Sequence, residues 1–143
     1  MSALLEQVAQ WLRPALRPGV RLTIRTQAPD LKVWANAPSL VSAVLNLATN
    51  ALQAATSDLD LELLARRAPG GGAQIVVSDN GPGVPASIRK KVFEPFFTTR
   101  ARGNGIGLAI VKSVVEAHRG NVSLVDSERG ATFVIELPAE ETA

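Results

Sequence analysis

Hydrophobic and polar positions along the chain repeat with two periods, one typical of helices and one typical of strands. Apolar residues recur at helical spacing over residues 3–13, and again over a longer segment that opens at Pro38 and reaches about Ala55. Alternation over Val20–Gln27 predicts a strand. The longer helix has two faces. Its predicted core face carries Leu40, Val44, Leu47, Ala48 and Ala51, and its polar face carries Ser42, Asn46, Asn50 and Gln53.

Strands dominate the pattern in the second half of the chain. Leu59–Arg67 and Ala73–Asp79 predict antiparallel strands that are joined by the glycine-rich turn 69–72. A helix is expected from Gly105 to about His118, followed by strands over Asn121–Val125 and Ala131–Leu137. Weaker patterns predict a short strand over Leu31–Ala35, a short basic helix over Ala86–Val92, a loop over Phe93–Asn104 and a frayed tail over Ala139–Ala143.

Composition narrows the class of protein. The 143 residues are 46% apolar, enough to bury the core of one domain, with residues 1–19 as an N-terminal helix and connection and 20–138 as the core. The absence of cysteine and the single histidine exclude a disulfide framework and a multi-histidine metal site. A net charge of +2 and 4% aromatic residues disfavour nucleic-acid binding. With no long apolar run, the expected location is cytoplasmic.

Two polar features have the chemistry of a nucleotide site. Asn46 and Asn50 lie one helical turn apart, and their carboxamides suit a hard cation and phosphate oxygens; the alternative is that they are solvated or cap a neighbouring loop. Asp79 ends an apolar strand just before Gly81 and Gly83, which allow a base to approach the backbone. Its carboxylate suits the amino group of adenine, although an ordinary turn aspartate is the alternative.

A glycine cluster follows, with Gly103, Gly105 and Gly107 before Leu108. The spacing is not that of the dinucleotide fingerprint, and the lysine of a phosphate-binding P-loop is missing. A flexible lid that leads into a helix N-terminus favours a triphosphate, because free N–H groups and the helix dipole attract anions. A plain loop followed by a helix start is the alternative.

In this order, the motifs resemble those of the ATP-binding catalytic domain of bacterial sensor histidine kinases. That superfamily also includes gyrase, the large heat-shock chaperone and the mismatch-repair ATPase. The short connection from Phe97 to Gly103 is most similar to the nitrogen-regulation and dicarboxylate-sensing subgroup. Five segments resemble the sequence motifs of this family: Asn46–Ala54 the N box, Asp79–Val84 the G1 box, Phe93–Arg100 the F box, Gly103–Leu108 the G2 box and Gly130–Phe133 the last glycine box.

The resemblance implies an α+β fold, a two-layer sandwich in which a mixed, mostly antiparallel sheet of about five strands packs against three helices, with an ATP lid. It implies binding of ATP with Mg²⁺ and transfer of the γ-phosphoryl group to a histidine on a separate dimerisation domain. That domain is the expected direct partner and a response regulator an indirect one. No contact with nucleic acid or membrane is expected, and the isolated domain is expected to be a monomer.

The resemblance also assigns roles to individual residues. Asn50 is implied as the magnesium ligand, Asn46 as a phosphate contact, and Arg100 as the cation near the outer phosphates; these three form the predicted catalytic set. The predicted nucleotide-binding set adds the residues of the glycine boxes and the lid, namely Asp79, Gly81, Gly83, Val84, Phe96, Gly103, Gly105, Gly107, Leu108 and Thr132.

His118 is predicted to be structural, because it lies at the end of the helix that follows the G2 box. Trp11 and Trp34 are predicted to be packing residues.

Two other functions stay open. An anti-sigma-type serine kinase usually has a glutamate ahead of a single asparagine and lacks Phe-Glu-Pro-Phe-Phe. A degenerate domain that binds nucleotide without transferring phosphate is allowed by Ser42 and Gln53, which depart from the family pattern.

Overall fold

The computed structural model describes residues 2–33, 35–54, 58–94, 107–125 and 129–139. Within these ranges the chain forms helices and strands that agree with the predicted positions to about two residues. The helices are α1 (Ser2–Leu12), α2 (Ala37–Ala54) and α3 (Gly107–Ala117), and the strands are β1 (Val20–Thr26), β2 (Leu59–Arg67), β3 (Ala73–Asp79), β4 (Asn121–Val125) and β5 (Thr132–Leu137).

The five strands form one mixed sheet in the order β1-β2-β3-β5-β4. β1 runs parallel to β2, and each of the other neighbouring pairs is antiparallel. Because successive side chains of a strand point to opposite faces, one face carries Leu61, Val77 and Phe133, which belong to the buried core. The helices cover that face, so the predicted two-layer α+β sandwich is confirmed.

Helix α2 lies at the centre of the helical layer, with α1 and α3 packed against it. All five residues predicted for its core face are buried, and Ser42 and Gln53 on the opposite face are exposed. α1 contributes Leu5, Val8 and Leu12 to the same core, so this helix is packed into the domain. In the described ranges, no helix combines the length and the hydropathy that crossing a bilayer requires.

Two predicted elements are wrong. No strand forms among the described residues of Leu31–Ala35, because the N–H of Leu31 closes a turn onto the carbonyl of Ala28, 3.0 Å away. The predicted helix Ala86–Val92 is a 3₁₀-helix over Ala86–Ile88 that continues as turns. Its hydrogen bonds join residues three apart, for example Lys91 N–H to the carbonyl of Ile88 at 2.9 Å, so no α-helical ladder is established.

The predicted packing role of Trp11 is also wrong, since 67% of its surface is exposed. The buried positions of α1 are Leu5, Val8, Ala9 and Leu12. Residue 11 is rotated by about 100° from residue 12 around the helix axis, which takes its side chain off that narrow stripe. Trp34 lies outside the described residues.

Candidate functional site

Asp79 ends β3 with its side chain half-buried. Its Oδ1 atom accepts hydrogen bonds from the N–H groups of Gly81 at 2.8 Å and Ala131 at 3.4 Å. Burial raises the pKa of the Asp79 carboxyl, while these two N–H groups lower it by a smaller amount. Both bonds use Oδ1, so within the described residues Oδ2 remains available as an acceptor for a ligand.

Two glycines allow the loops around Asp79 to pack closely. Gly130 has a φ of +70°, and a Cβ at this position would collide with the carbonyl oxygen of Asp79. Gly83 has a φ of +78°, and a Cβ there would lie 2.9 Å from the carbonyl oxygen of Gly130. The turn after β3 therefore rests directly on the loop that precedes β5, and a side chain at either glycine would separate them.

The side chains of Thr132 and Asp79 point to opposite faces of the sheet, although both residues line one cavity at this end of it. Thr132 pairs with Ser78, on the face of the sheet opposite to Val77 and Phe133. The main chain of Ala131 contacts Asp79 instead. The backbone contributions of Gly130 and Ala131 were not predicted, although both residues lie in the last glycine box.

Helix α2 presents Asn46 and Asn50 one turn apart, both half-buried. The helix begins after Asn36, whose Oδ1 caps it by accepting the Ser39 N–H at 3.0 Å. Neither carboxamide has a hydrogen-bonding partner among the described residues. Asparagine is a poor helix former, so these two positions lower the helix propensity of α2 and leave both carboxamides available to a ligand.

The remaining predicted site residues divide into two groups. Val84 and Leu108 are partly buried against the core, and Gly107 is the first residue of α3. Phe93 packs edge-on against Phe133, with 5.9 Å between ring centroids, and so attaches the start of the F-box segment to the core. Phe96, Arg100, Gly103 and Gly105 lie outside the described residues, so their roles stay predictions.

His118 connects the end of α3 to the start of α2. Its Nδ1 is 2.8 Å from the carbonyl oxygen of Val114, and its Nε2 is 2.9 Å from the backbone N of Asn36. Since a carbonyl only accepts and an N–H only donates, Nδ1 carries the proton and Nε2 is the acceptor. Both ring nitrogens are used within the fold, as a structural histidine requires.

The side-chain oxygens of Asn46 and Asn50 fit a magnesium ion only when a nucleotide supplies further ligands. The described residues contain no group of three acidic, histidine or cysteine side chains that could hold a metal. Mg²⁺ usually binds through one or two protein oxygens, with phosphates and waters completing the octahedron. The side-chain oxygen of Asn50 meets that requirement, and Asn46 lies beside it on the same helix face.

The amino-acid sequence is similar to those of known proteins. Residues 35–141 match the family described as histidine kinase-, DNA gyrase B- and HSP90-like ATPase. The sensor histidine kinase ZraS of Escherichia coli K12 is 36% identical over 124 residues, which cover 86% of this chain and 26% of ZraS. The sensory histidine kinase/phosphatase NtrB of Rhizobium leguminosarum is 31% identical, over all of this chain and 41% of NtrB. The chain thus spans less than half the length of these relatives.

A solved structure shares the same arrangement. The catalytic domain of the histidine kinase ThkA, in a nucleotide-free form, superimposes with a TM-score of 0.88 at 26% identity. The superposition covers 98% of this chain and 93% of that domain. The superposition confirms the fold expected from the sequence resemblance. The identity with NtrB confirms the predicted subgroup.

Proposed function

The chain belongs to the family of histidine kinase-, DNA gyrase B- and HSP90-like ATPases, and we propose that it is a kinase domain. It binds ATP with Mg²⁺ and donates the γ-phosphoryl group to a histidine of a separate dimerisation domain. A response regulator receives the phosphoryl group in a later step. The relatives ZraS and NtrB are named as sensor histidine kinases, which supports this proposal.

The observation that carries the proposal is the half-buried Asp79 carboxylate with one oxygen fixed and one available. The N–H groups of Gly81 and Ala131 hold Oδ1, which orients the carboxylate without using Oδ2. An acceptor held in this way pairs with the exocyclic amino group of adenine. Guanine presents a carbonyl at that place, and two acceptors would then face each other unpaired.

Phosphoryl transfer depends mainly on positioning and charge neutralisation. Mg²⁺, when bound to the nucleotide, neutralises phosphate charge, and Asn50 would hold it while Asn46 contacts the phosphates. Arg100 and the glycines of the lid remain predicted contacts to the outer phosphates. During transfer, the bond between the γ-phosphorus and the bridging oxygen of ADP breaks, and a bond to the acceptor imidazole nitrogen forms.

Water should compete poorly for the γ-phosphoryl group. The carboxamide of Asn46 cannot take up a proton at neutral pH, and Ser42, one turn earlier, is not a general base. His118 is a poor acceptor because both of its ring nitrogens are hydrogen-bonded within the fold. We therefore expect slow ATP hydrolysis and negligible self-phosphorylation of the isolated chain.

The test is phosphate transfer in trans. Radiolabelled ATP and Mg²⁺ are mixed with the chain and a histidine-bearing dimerisation domain of an NtrB-like kinase, and acid-labile label on that domain is counted. Transfer should be lost in Asn50→Ala and largely kept in His118→Gln. Label that accumulates on the isolated chain and disappears in His118→Gln would contradict the proposal, as would transfer that survives in Asn50→Ala.

A further inference from the structure

The point where β3 leaves the sheet has an unusual hydrogen-bond pattern. The last regular pair between β2 and β3 is Leu61 with Asp79. The next two residues, Asp60 and Asn80, still bond to each other. Asn80 N–H donates to the Asp60 carbonyl at 3.3 Å, and Asp60 N–H donates to the side-chain Oδ1 of Asn80 at 2.8 Å.

A regular antiparallel pair at this position would exchange two main-chain hydrogen bonds. In this sheet the side-chain carbonyl of Asn80 replaces its main-chain carbonyl, so one main-chain bond is lost without leaving the Asp60 N–H unpaired. Asparagine imitates a backbone group in this way at turns. The chain is therefore free to bend at Asn80, and the next N–H, that of Gly81, points back to the Asp79 carboxylate.

Asp60 is held from its other side as well. Arg21 of β1 donates two hydrogen bonds to its carboxylate, Nε to Oδ1 at 2.8 Å and Nη2 to Oδ2 at 3.1 Å. Asn80 Nδ2 lies 3.4 Å from the same Oδ2. The side chains of Arg21 and Asp60 are 82% and 51% exposed, so this ion pair adds little to stability. Its effect is on geometry, because it joins β1 and β2 to the turn that follows β3.

We propose that Asn80 is a positioning residue, whose side-chain amide, bonded to Asp60, fixes the turn that presents the Asp79 carboxylate to the adenine base. The inference rests on the proposed function, since it concerns how that base is read. When the amide is removed, the Asp60 N–H loses its acceptor and the turn loosens. Gly81 then no longer holds Oδ1 in place, and adenine is bound less tightly.

The test compares four forms of the chain for binding of ADP with Mg²⁺ by calorimetry: the unchanged chain, Asn80→Ala, Asp79→Asn and Asn121→Ala. Asn121 is a matched control, an exposed asparagine at the start of β4. Asn80→Ala should weaken ADP binding about tenfold, the equivalent of one hydrogen bond. Asn121→Ala should change it less than twofold.

The same variants are followed by NMR of the Asp79 carboxyl. In Asn80→Ala the pKa of this carboxyl should rise further, because the Gly81 N–H that lowers it is released. If Asn80→Ala lowered the stability of the domain but left the turn intact, the pKa of Asp79 would not change. An Asn80→Ala chain with unaltered ADP affinity and unaltered Asp79 pKa overturns the inference.

A double exchange keeps the test decisive if Asn80→Ala folds poorly. Asn80→Asp alone brings two carboxylates together and should weaken ADP binding. Adding Asp60→Asn restores a donor and acceptor pair and should recover part of that binding, since Arg21 then keeps only one acceptor at residue 60. A folded double variant that binds no better than Asn80→Asp overturns the inference. If the unchanged chain fails to bind ADP, the proposed function itself fails, and this outcome is distinct from a positioning failure.

Discussion

Gly130 lies against Asp79 so closely that a Cβ on Gly130 would collide with the carbonyl oxygen of Asp79 and stand 2.8 Å from its carboxylate Oδ1. The left-handed backbone of Gly130, with a φ of +70°, adds strain to any substitution. The last glycine box therefore shapes the site through its backbone, by letting the loop before β5 approach the turn after β3.

Gly130→Ala should lower the free energy of unfolding by roughly 2–4 kcal/mol, the sum of left-handed strain and overpacking. It should also remove detectable ADP binding, because the clash displaces the Asp79 carboxylate. Gly71→Ala is the control: its φ of +97° is similarly unfavourable, but a Cβ there meets nothing within 4 Å. The control should lose stability and keep its ADP affinity. Unchanged ADP affinity in Gly130→Ala, measured by calorimetry, would refute the close-approach argument.

Asp79→Asn should weaken ADP binding roughly 10- to 100-fold and yet stabilise the empty domain at neutral pH. Burial raises the pKa of Asp79 above its ordinary value of 3.8, so folding favours the protonated form. That stabilising contribution is present below pH 3.8 and is lost as the pH rises through the raised value. At neutral pH the folded chain therefore bears the cost of a buried charge, which the amide avoids.

Urea unfolding of the Asp79→Asn variant and of the unchanged chain over a pH series checks the sign. The variant should be the more stable of the two at pH 7, and its advantage should shrink in acid. A variant that is less stable at pH 7 would show that the carboxylate is stabilised by its N–H donors more than it is penalised by burial.

Asn50→Ala should remove the effect of Mg²⁺ on nucleotide binding without harming the fold. Alanine is the better helix former by about 0.6 kcal/mol, so the melting temperature should stay the same or rise. ADP titrations with Mg²⁺ and with a chelator should differ strongly for the unchanged chain and little for the variant. Gln53→Ala, on the exposed part of the same helix face, should behave like the unchanged chain. A full Mg²⁺ effect in Asn50→Ala would exclude this residue as the ligand.

His118→Ala should lower the free energy of unfolding by about 1–2 kcal/mol, since the Asn36 N–H loses its acceptor and the Val114 carbonyl loses its side-chain donor. ADP affinity should change less than twofold, because the imidazole holds α3 to the start of α2, away from the carboxamides. Thermal denaturation and calorimetry on one sample measure both quantities. A stable variant with strongly reduced ADP affinity would assign His118 to the site.

Patterns that depend on near neighbours predicted the fold well. The two faces of α2 follow from helical periodicity alone, which correctly placed Leu40 in the core and Gln53 outside it. The prediction for Trp11 was wrong, because this large apolar side chain lies beside the buried stripe of α1 and not on it. Periodicity also failed at Leu31, where a turn buries an apolar side chain without any strand.

The residues of the candidate site were easier to predict from the sequence than the contacts between them. Asp79 stood out because an aspartate before Gly81 and Gly83 forms a recognisable motif. Its bond to Ala131 joins residues 52 positions apart, and no local pattern encodes that pairing. The contacts of Gly130 and Ala131 were not predicted for the same reason: sequence motifs indicate side-chain chemistry, whereas these contacts are made by backbone groups.

The most direct test of nucleotide recognition by this chain is one pair of calorimetric titrations, ATP and GTP, each with Mg²⁺ and at the same salt and pH. An available Asp79 Oδ2 beside a fixed Oδ1 predicts binding of ATP and at least a tenfold weaker interaction with GTP, because one base offers a donor and the other an acceptor. Equal affinities for the two nucleotides would contradict adenine recognition by Asp79 and with it the proposed site.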